Sequence, residues 1–563
     1  MNISSSGHLD NLSQVAFDAY VTPYFDSDSL QNSISGNNWF VSTSSTMFID
    51  TVVNEYRTFI VNSTADVLDE NDGVTTLREA IIQANAIAGL DAILFDELEF
   101  ASEQTITLSL GQLSITDSLT IDGGNRVTVS GNDTSRVFEI GAGATVTLSG
   151  LDIANGRVVN DNGGGIYNSG SLTLDKSTVR NSTVTADLNA TYGGGGIYNT
   201  GTIAVNNSTL SSNSVINELG GSVGGGIYNE GTVTVDNSTI SNNLAGFQHG
   251  LGRPNLTLIG SGGGIYNRGT VMVNNSNLSS NSAIGDGDSI GGGIYNTGTV
   301  AISNSAVNSN SATTTLSSSY GGGIYNIYGT VIVSNSILSS NLIRVGGSGI
   351  GAFGGGIYNS NGGNVTVSDS TLSSNQAGGR LLGGGGGIYN NTDSILSVSN
   401  STLSNNRAFT SRESGGGGIY NTGTASVSNS TIRDNLFGGG FSGTGGGILN
   451  DNNGTLTVNN STISGNSVNG SLSSAGGGIG NTGTATISNS TISDNVAPGT
   501  FGNGGGISNS GTLTLVFSTL TLNQAVNGGG IVVVEPILAH LNFPLPNGCY
   551  LCIHELIFHP QQR

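Results

Sequence analysis

Lysine is almost missing from this chain: Lys176 stands alone beside fourteen arginines, against 37 acidic residues. Phosphate recognition needs clustered Lys and Arg, so a net charge of −22 excludes nucleic acid as a partner class. Charged residues of every kind make up only 9%, against roughly a quarter in an average soluble domain. Exposed helical faces are built largely from Lys, Glu and Arg, so this shortage argues against a helical protein. No apolar run reaches the roughly 18 residues that a membrane-spanning helix requires. The only cysteines, Cys549 and Cys552, lie near the end, so the body is not a disulfide scaffold. No basic residue precedes Arg57, and no export signal is legible at the start.

What the chain does have is glycine, 91 residues of it, with Ser, Thr and Asn filling much of the rest. Apolar residues make up 35% and recur regularly, which excludes disorder driven by charge. The acidity keeps a Gly/Ser-rich rod soluble, and among cations it would attract calcium.

The block Gly-Gly-Gly-Ile-Tyr-Asn recurs around Ile166, Ile197, Ile227, Ile265, Ile294, Ile324, Ile357, Ile388 and Ile419, with degenerate copies at Ile448, Ile479, Ile507 and Ile531. Spacing wanders between 24 and 38 residues, yet about the first twenty residues of each unit hold register. A part of fixed length plus one elastic stretch is how a solenoid coil behaves. Within the unit 291–310 we read three short strands, GIYN, TVAIS and AVNS, each alternating apolar and small polar residues. Aligned units give a second apolar column, Val179, Leu210, Ile240, Leu278, Val307 and its successors to Ile492. Three polar columns begin at Asn168, Asn207 and Asn213. Asparagine tolerates left-handed backbone at turns, and its amide can bond to the copies above and below, so all three are read as architecture. The sequence therefore predicts an all-β fold, a single-stranded right-handed parallel β-helix (solenoid) with a short N-terminal capping α-helix. At about 4.8 Å per coil, some sixteen coils would give a rod of about 75 Å.

Four regions follow. Residues 1–58, with the sole tryptophan Trp39, match no repeat and read as an irregular segment. Residues 59–100 form a cap whose helix, about 76–88, opens on the capping box Thr76–Glu79 and presents Leu77, Ala80, Ile81, Ala84 and Ile87 on one face. The β-helix occupies 101–531. In 532–563 the composition breaks, with four of the seven prolines and three of the five histidines in the last 28 residues. That tail reads as foreign to the array or as a truncation. Its zinc alternative would use Cys549, Cys552, His554 and His559.

The segment TTLREAIIQANAIAGLDAILF (75–95) resembles the CSLREA-type N-terminal segment of large bacterial surface proteins. Leu77 to Ala80 match that motif, while Thr75 and Thr76 replace its Cys and Ser. The array is similar to the polymorphic outer membrane protein repeats, with GGGI for their GGA-I and Leu/Ile-Ser-x-Asn for their F-x-x-N. The resemblance spans about 59–531. It implies a pectin-lyase-like fold, export, and cell-surface roles such as adhesion.

Enzymes share such folds, so catalysis has to be sought in residues. A glycoside hydrolase needs carboxylates converging at about 5–10 Å. Asp175 and Asp236 share a slot but have Asn206 between them, and Asp434 and Asp494 are separated by Gly465. No regular coil gathers the Arg or Lys base and carboxylates of a lyase. The weak calcium candidates are Asp286 and Asp288 in the loop IGDGDS.

The binding candidate is the tyrosine column Tyr167, Tyr198, Tyr228, Tyr266, Tyr295, Tyr325, Tyr358, Tyr389 and Tyr420. Each follows an inward Ile and so points outward. Stacking that stiffens the rod explains it, and so does a flat platform for sugar chains or partner surfaces. Specific recognition would fall to the variable stretches 244–261, 282–290 and 342–353. The function expected is a non-enzymatic secreted or cell-surface rod, adhesin-like or structural, binding polysaccharide or partner surfaces. The alternative is a carbohydrate-active enzyme, lyase or hydrolase, with a loop-borne site. No cofactor is required on either the apolar columns or the ladders.

Overall fold

The computed structural model describes residues 57–563 except 70, 188, 247–257, 412–414, 534–539, 543–555 and 559–563. Every described residue belongs to one compact unit, Asn54–Arg563. That unit is a parallel β-solenoid of about 15 turns, with a single short helix among its described residues.

The coil at 291–320 shows the plan. Gly291, Gly292 and Gly293 cross the coil, and strands follow at Ile294–Asn296, Thr299–Ser303, Ala306–Asn308, Ser311–Thr314 and Ser319–Tyr320. Each pairs in register with its copy one coil on: Ile294 with Ile324, Val300 with Val331, Val307 with Leu338, Ala312 with Ile343. Three strands per coil were expected, and the structure adds two. They were hidden because the inward residue of the first of them is often alanine (Ala245, Ala283, Ala312, Ala377), too weakly apolar to mark a strand by alternation. The elastic part shrinks accordingly. Strands Ser282–Gly285 and Ser289–Ile290 take up most of 282–290, and Leu342–Val345 and Gly351–Phe353 take up much of 342–353.

Inward isoleucines, valines and leucines form one continuous core from Val61 to Val533. A smaller second cluster, from Ala312 through Phe437 to Val468, lies on the other side of the glycine crossing. That crossing explains the Gly-Gly-Gly block. Gly291 has φ +64°, and a Cβ on Gly292 would stand 2.4 Å from the carbonyl oxygens of Gly322 and Ser311. Backbone occupies both sides, so no side chain fits. Gly292 N–H donates to Gly321 O at 3.1 Å and Gly293 N–H to Gly323 O at 3.0 Å, which continues the stack from coil to coil.

Two of the three asparagine columns are ladders. Asn310 is fully buried. Its Nδ2 donates to Asn341 Oδ1 and to Leu278 O, both at 3.0 Å, and its Oδ1 accepts from Asn281 N and Nδ2 at 3.0 Å. Asn296 is likewise buried, donating to Asn326 Oδ1 at 2.8 Å and accepting from Asn267 Nδ2 at 2.8 Å. At the foot of that ladder the coil below offers Ile140, so Asn168 Oδ1 is left without a donor. The middle column is different. Asn207, Asn237, Asn275 and Asn304 are exposed turn residues with φ of 47 to 50°, and they form no continuous ladder. The ladder beside them is serine: Ser305 N–H donates to Ser336 Oγ at 3.1 Å, while Ser276 N–H donates to Ser305 Oγ at 3.0 Å. Each rung satisfies polar groups that would otherwise cost about 1–3 kcal/mol apiece when buried.

At the N-terminal end the helix runs Leu77–Asn85, and both hydrogen bonds of the Thr76–Glu79 capping box are present. It stops short of residue 88, which leaves Ile87 55% exposed and off the apolar face. Coiling begins before residue 101, because Thr58–Val61 pairs with Asp91–Phe95, which pairs with the strand from Leu119. Arg78 and Asp66 form a buried ion pair at 2.7 Å. Burial by itself would raise Asp66, but hydrogen bonds from Arg78 and from Leu110 and Ser109 N–H hold its carboxyl below the usual range. Burial is likewise outweighed at Glu79, which accepts from Thr76 and Asp69 N–H and is held low. Past residue 531, the backbone of His540–Asn542 pairs with Thr514–Val516, and Leu556–Phe558 pairs with Ile531–Val533. Trp39, His249, Cys549, Cys552, His554 and His559 lie outside the described residues.

Candidate functional site

Three features of the outer surface are candidates, and each follows from strand register. The first is the tyrosine column. Each ring leaves the strand beside a fully buried isoleucine and stacks on its neighbour, with centroids 4.4–5.3 Å apart and ring planes within 2–22° from Tyr167 to Tyr420. The stripe lies on the outward side of its strands as alternation requires, but Tyr228, Tyr358 and Tyr420 are buried and the ring faces are spent on one another. A sugar ring cannot lie flat on it. What it presents is a row of ring edges and hydroxyls, and this corrects the expectation of a flat platform.

Neighbouring segments narrow the row further. Tyr320 packs edge-on against Tyr325 and Tyr358, and Phe353 against Tyr389. Arg136 closes the lower end, its guanidinium 5.3 Å from the Tyr167 centroid. Tyr420 Oη donates to Asp451 at 2.6 Å and Tyr228 Oη to Glu230 at 3.0 Å. Burial pushes these phenols up, Tyr389 to about 12, and Tyr198, Tyr266, Tyr358 and Tyr420 further still. They stay protonated and uncharged at neutral pH.

The second feature is the bent sheet that follows each Ile-Tyr-Asn strand. Its outward positions form columns of short hydroxyl side chains. In the last four regular coils the first column is Thr424, Thr455, Thr484 and Thr512. The second is Ser426, Thr457, Thr486 and Thr514, and beyond the bend comes Thr431, Thr462, Thr491 and Thr519. Sequence reasoning used these strands only for their inward residues and passed over the outer ones. The signal, T-x-T two residues apart in consecutive units, was there to be read.

The third is a cleft of about 230 Å³ on the first coils, lined by Glu103, Asn125, Arg126, Thr128, Gly150, Asp152 and Lys176 among others. Gly150, at φ +57°, lets the backbone of Asn125 pack within 2.7 Å of where a Cβ would stand in this lining. Arg180 holds Asp152 through three hydrogen bonds of 2.6–3.0 Å. Among the described residues Arg126 and Lys176 take part in no ion pair. The search for acids and bases in the regular array missed this cleft because it lies where the repeat is still irregular.

The remaining candidates are placed plainly. Asp175 pairs with Asn206, which pairs with Asp236, so the two carboxylates do not meet. Asp286 Oδ1 accepts from Thr315 Oγ1 at 2.6 Å and Asp288 Oδ1 from Ser317 Oγ at 2.5 Å, so each binds the next coil. Among the described residues no group of three or more His, Cys, Asp or Glu is placed to hold a metal ion, and no helix is long and apolar enough to cross a membrane. No family model, curated protein or solved structure matches the chain.

Proposed function

We propose that the protein is a non-enzymatic β-solenoid of the bacterial exterior, secreted or surface-held, that engages polysaccharide or partner surfaces through many weak, identical contacts. The observation that carries this reading is repetition: the tyrosine column runs unbroken from Tyr167 to Tyr420, each ring stacked on the next. Repeated weak sites along a rod raise avidity toward a polymer without a strong single site. The tyrosine edges and hydroxyls supply one such row, and the variable segments beside it supply what specificity there is. Calcium enters only as an accessory at the Asp286 and Asp288 loop.

The test is a panel of neutral and acidic polysaccharides, scored both for binding and for released reducing ends or unsaturated products. Binding without product is expected, and turnover of any member would reverse the reading. Replacing Tyr198, Tyr266, Tyr325 and Tyr389 with Ser should weaken binding stepwise while the solenoid stays folded.

A second reading, a carbohydrate-active enzyme, is favoured by the cleft, where Lys176 and Arg126 stand beside Glu103 and the Asp152–Arg180 pair. If it is correct, Lys176→Met abolishes product formation and leaves melting unchanged.

A further inference from the structure

We infer that the outer face of the bent sheet over the last four regular coils is an ice-binding surface. Three of its outward columns, from Thr424 to Thr519, hold eleven threonines and Ser426, paired in register; the columns beside them hold Ser428, Asn459, Ser488 and Val516, and Arg433, Ser464, Ser493 and Thr521. None of the hydroxyls in the three columns bonds to another described protein group, whereas the buried Asn and Ser ladders beneath are satisfied at nearly every rung. The face is also neutral in a chain of net charge −22: within these strands the one charged outward residue is Arg433, at the margin.

Register fixes the array. Across the first two columns hydroxyls repeat at about 4.8 Å between coils and about 6.6 Å between alternate residues of one strand. The third column, past the bend, continues the repeat between coils on its own strand, and the ladders beneath keep the spacing rigid. A partner that uses every site must itself be neutral, hydrogen-bonding and periodic at those distances. Of the oxygen repeats on the prism faces of hexagonal ice, one lies close to the coil spacing and the other is somewhat longer than the alternate-residue spacing, a difference that threonine side-chain torsion has to take up. Each threonine offers a hydroxyl to join the lattice and a methyl that sits against it without competing for hydrogen bonds. Sugar chains fit less well, because these twelve positions offer neither an open aromatic ring nor a bidentate amide or carboxylate. Earlier coils break the pattern with Met272, Ala301 and Ile332 in the second column and Ala306 and Ile337 beyond the bend, which confines the surface to the C-terminal coils.

The test uses the full chain. Protein is partitioned into a slowly growing ice front, and crystals held just below freezing are watched for faceting. Enrichment in ice several-fold over an inert protein, with faceted crystals, is expected. T457K/T486K should abolish both with an unchanged circular-dichroism melt, whereas N469K, on a different sheet, should change neither. Exclusion of the wild-type chain from ice overturns the inference whether or not it sediments with crystalline cellulose or self-associates. So does equal enrichment of T457K/T486K. Because ice partition involves no polysaccharide, failure here leaves the adhesive reading to its own assay.

Discussion

The first coils and the regular array solve the same problem by different means. In the array each buried polar group finds its partner in an identical residue one coil away, as Asn310 does between Asn281 and Asn341. Near the start there is no identical neighbour, and the chain turns to charge and to a helix. Four of the six ion pairs among the described residues involve Arg57, Arg78, Arg136 or Arg180. Repetition supplies satisfaction cheaply, but only where both neighbours exist. An end has to be built from specific, non-repeating contacts.

The largest effect that would break this comparison is expected at the glycine crossing. Gly292→Ala forces a Cβ against two backbone carbonyls that cannot retreat, and should cost more than about 4 kcal/mol in chemical denaturation. At the N-terminal end, Arg78→Ala leaves Asp66 buried without its cation and should cost about 3–4 kcal/mol. In the array, Asn310→Leu removes one rung and orphans groups on both sides, for about 2–3 kcal/mol. If the Arg78 and Asn310 variants lowered stability by the same uncooperative few tenths, neither device would be holding its region.

Acid and base should separate the two regions without any mutation. Asp66 and Glu79 have lowered folded pKa values, so their contribution is present above the ordinary carboxylate value near pH 4 and is lost as pH falls below it. From Tyr198 to Tyr420 the column's phenols are raised, so their contribution is present below about pH 10 and is lost as pH climbs toward about 12 at Tyr389. Hydrogen exchange should show the first coils opening first in acid and the tyrosine-bearing strands first in alkali. The smallest effect is at the cap, where Thr76→Ala should cost about 1 kcal/mol.

Much of the fold was legible because a period near thirty residues turns one reading into thirteen. The inward Ile, Val and Leu columns, the capping box and two of the three asparagine ladders follow from alternation and local chemistry. What escaped had a physical cause in each case. The fourth strand hid behind alanine, and the exposed Asn207 column looked the same as the buried Asn213 column because both suit turns. The stacking of the tyrosines could be read, but not the direction of their ring faces, which depends on side-chain torsion and on the packing of Tyr320 and Phe353. The cleft at Arg126 and Lys176 required knowing how irregular coils register with regular ones.

A protein that works through repetition binds more tightly as its polymer lengthens, and affinity as a function of polymer length tests that most directly. Fragments of one bound polysaccharide, graded from a few sugars to chains longer than the array, would be titrated against the intact protein while product formation is monitored. Affinity is expected to rise steadily with length over many coils, with no new chain ends. Affinity that saturates at a few sugars, accompanied by cleavage, would contradict this and move the function to the cleft lined by Arg126 and Lys176.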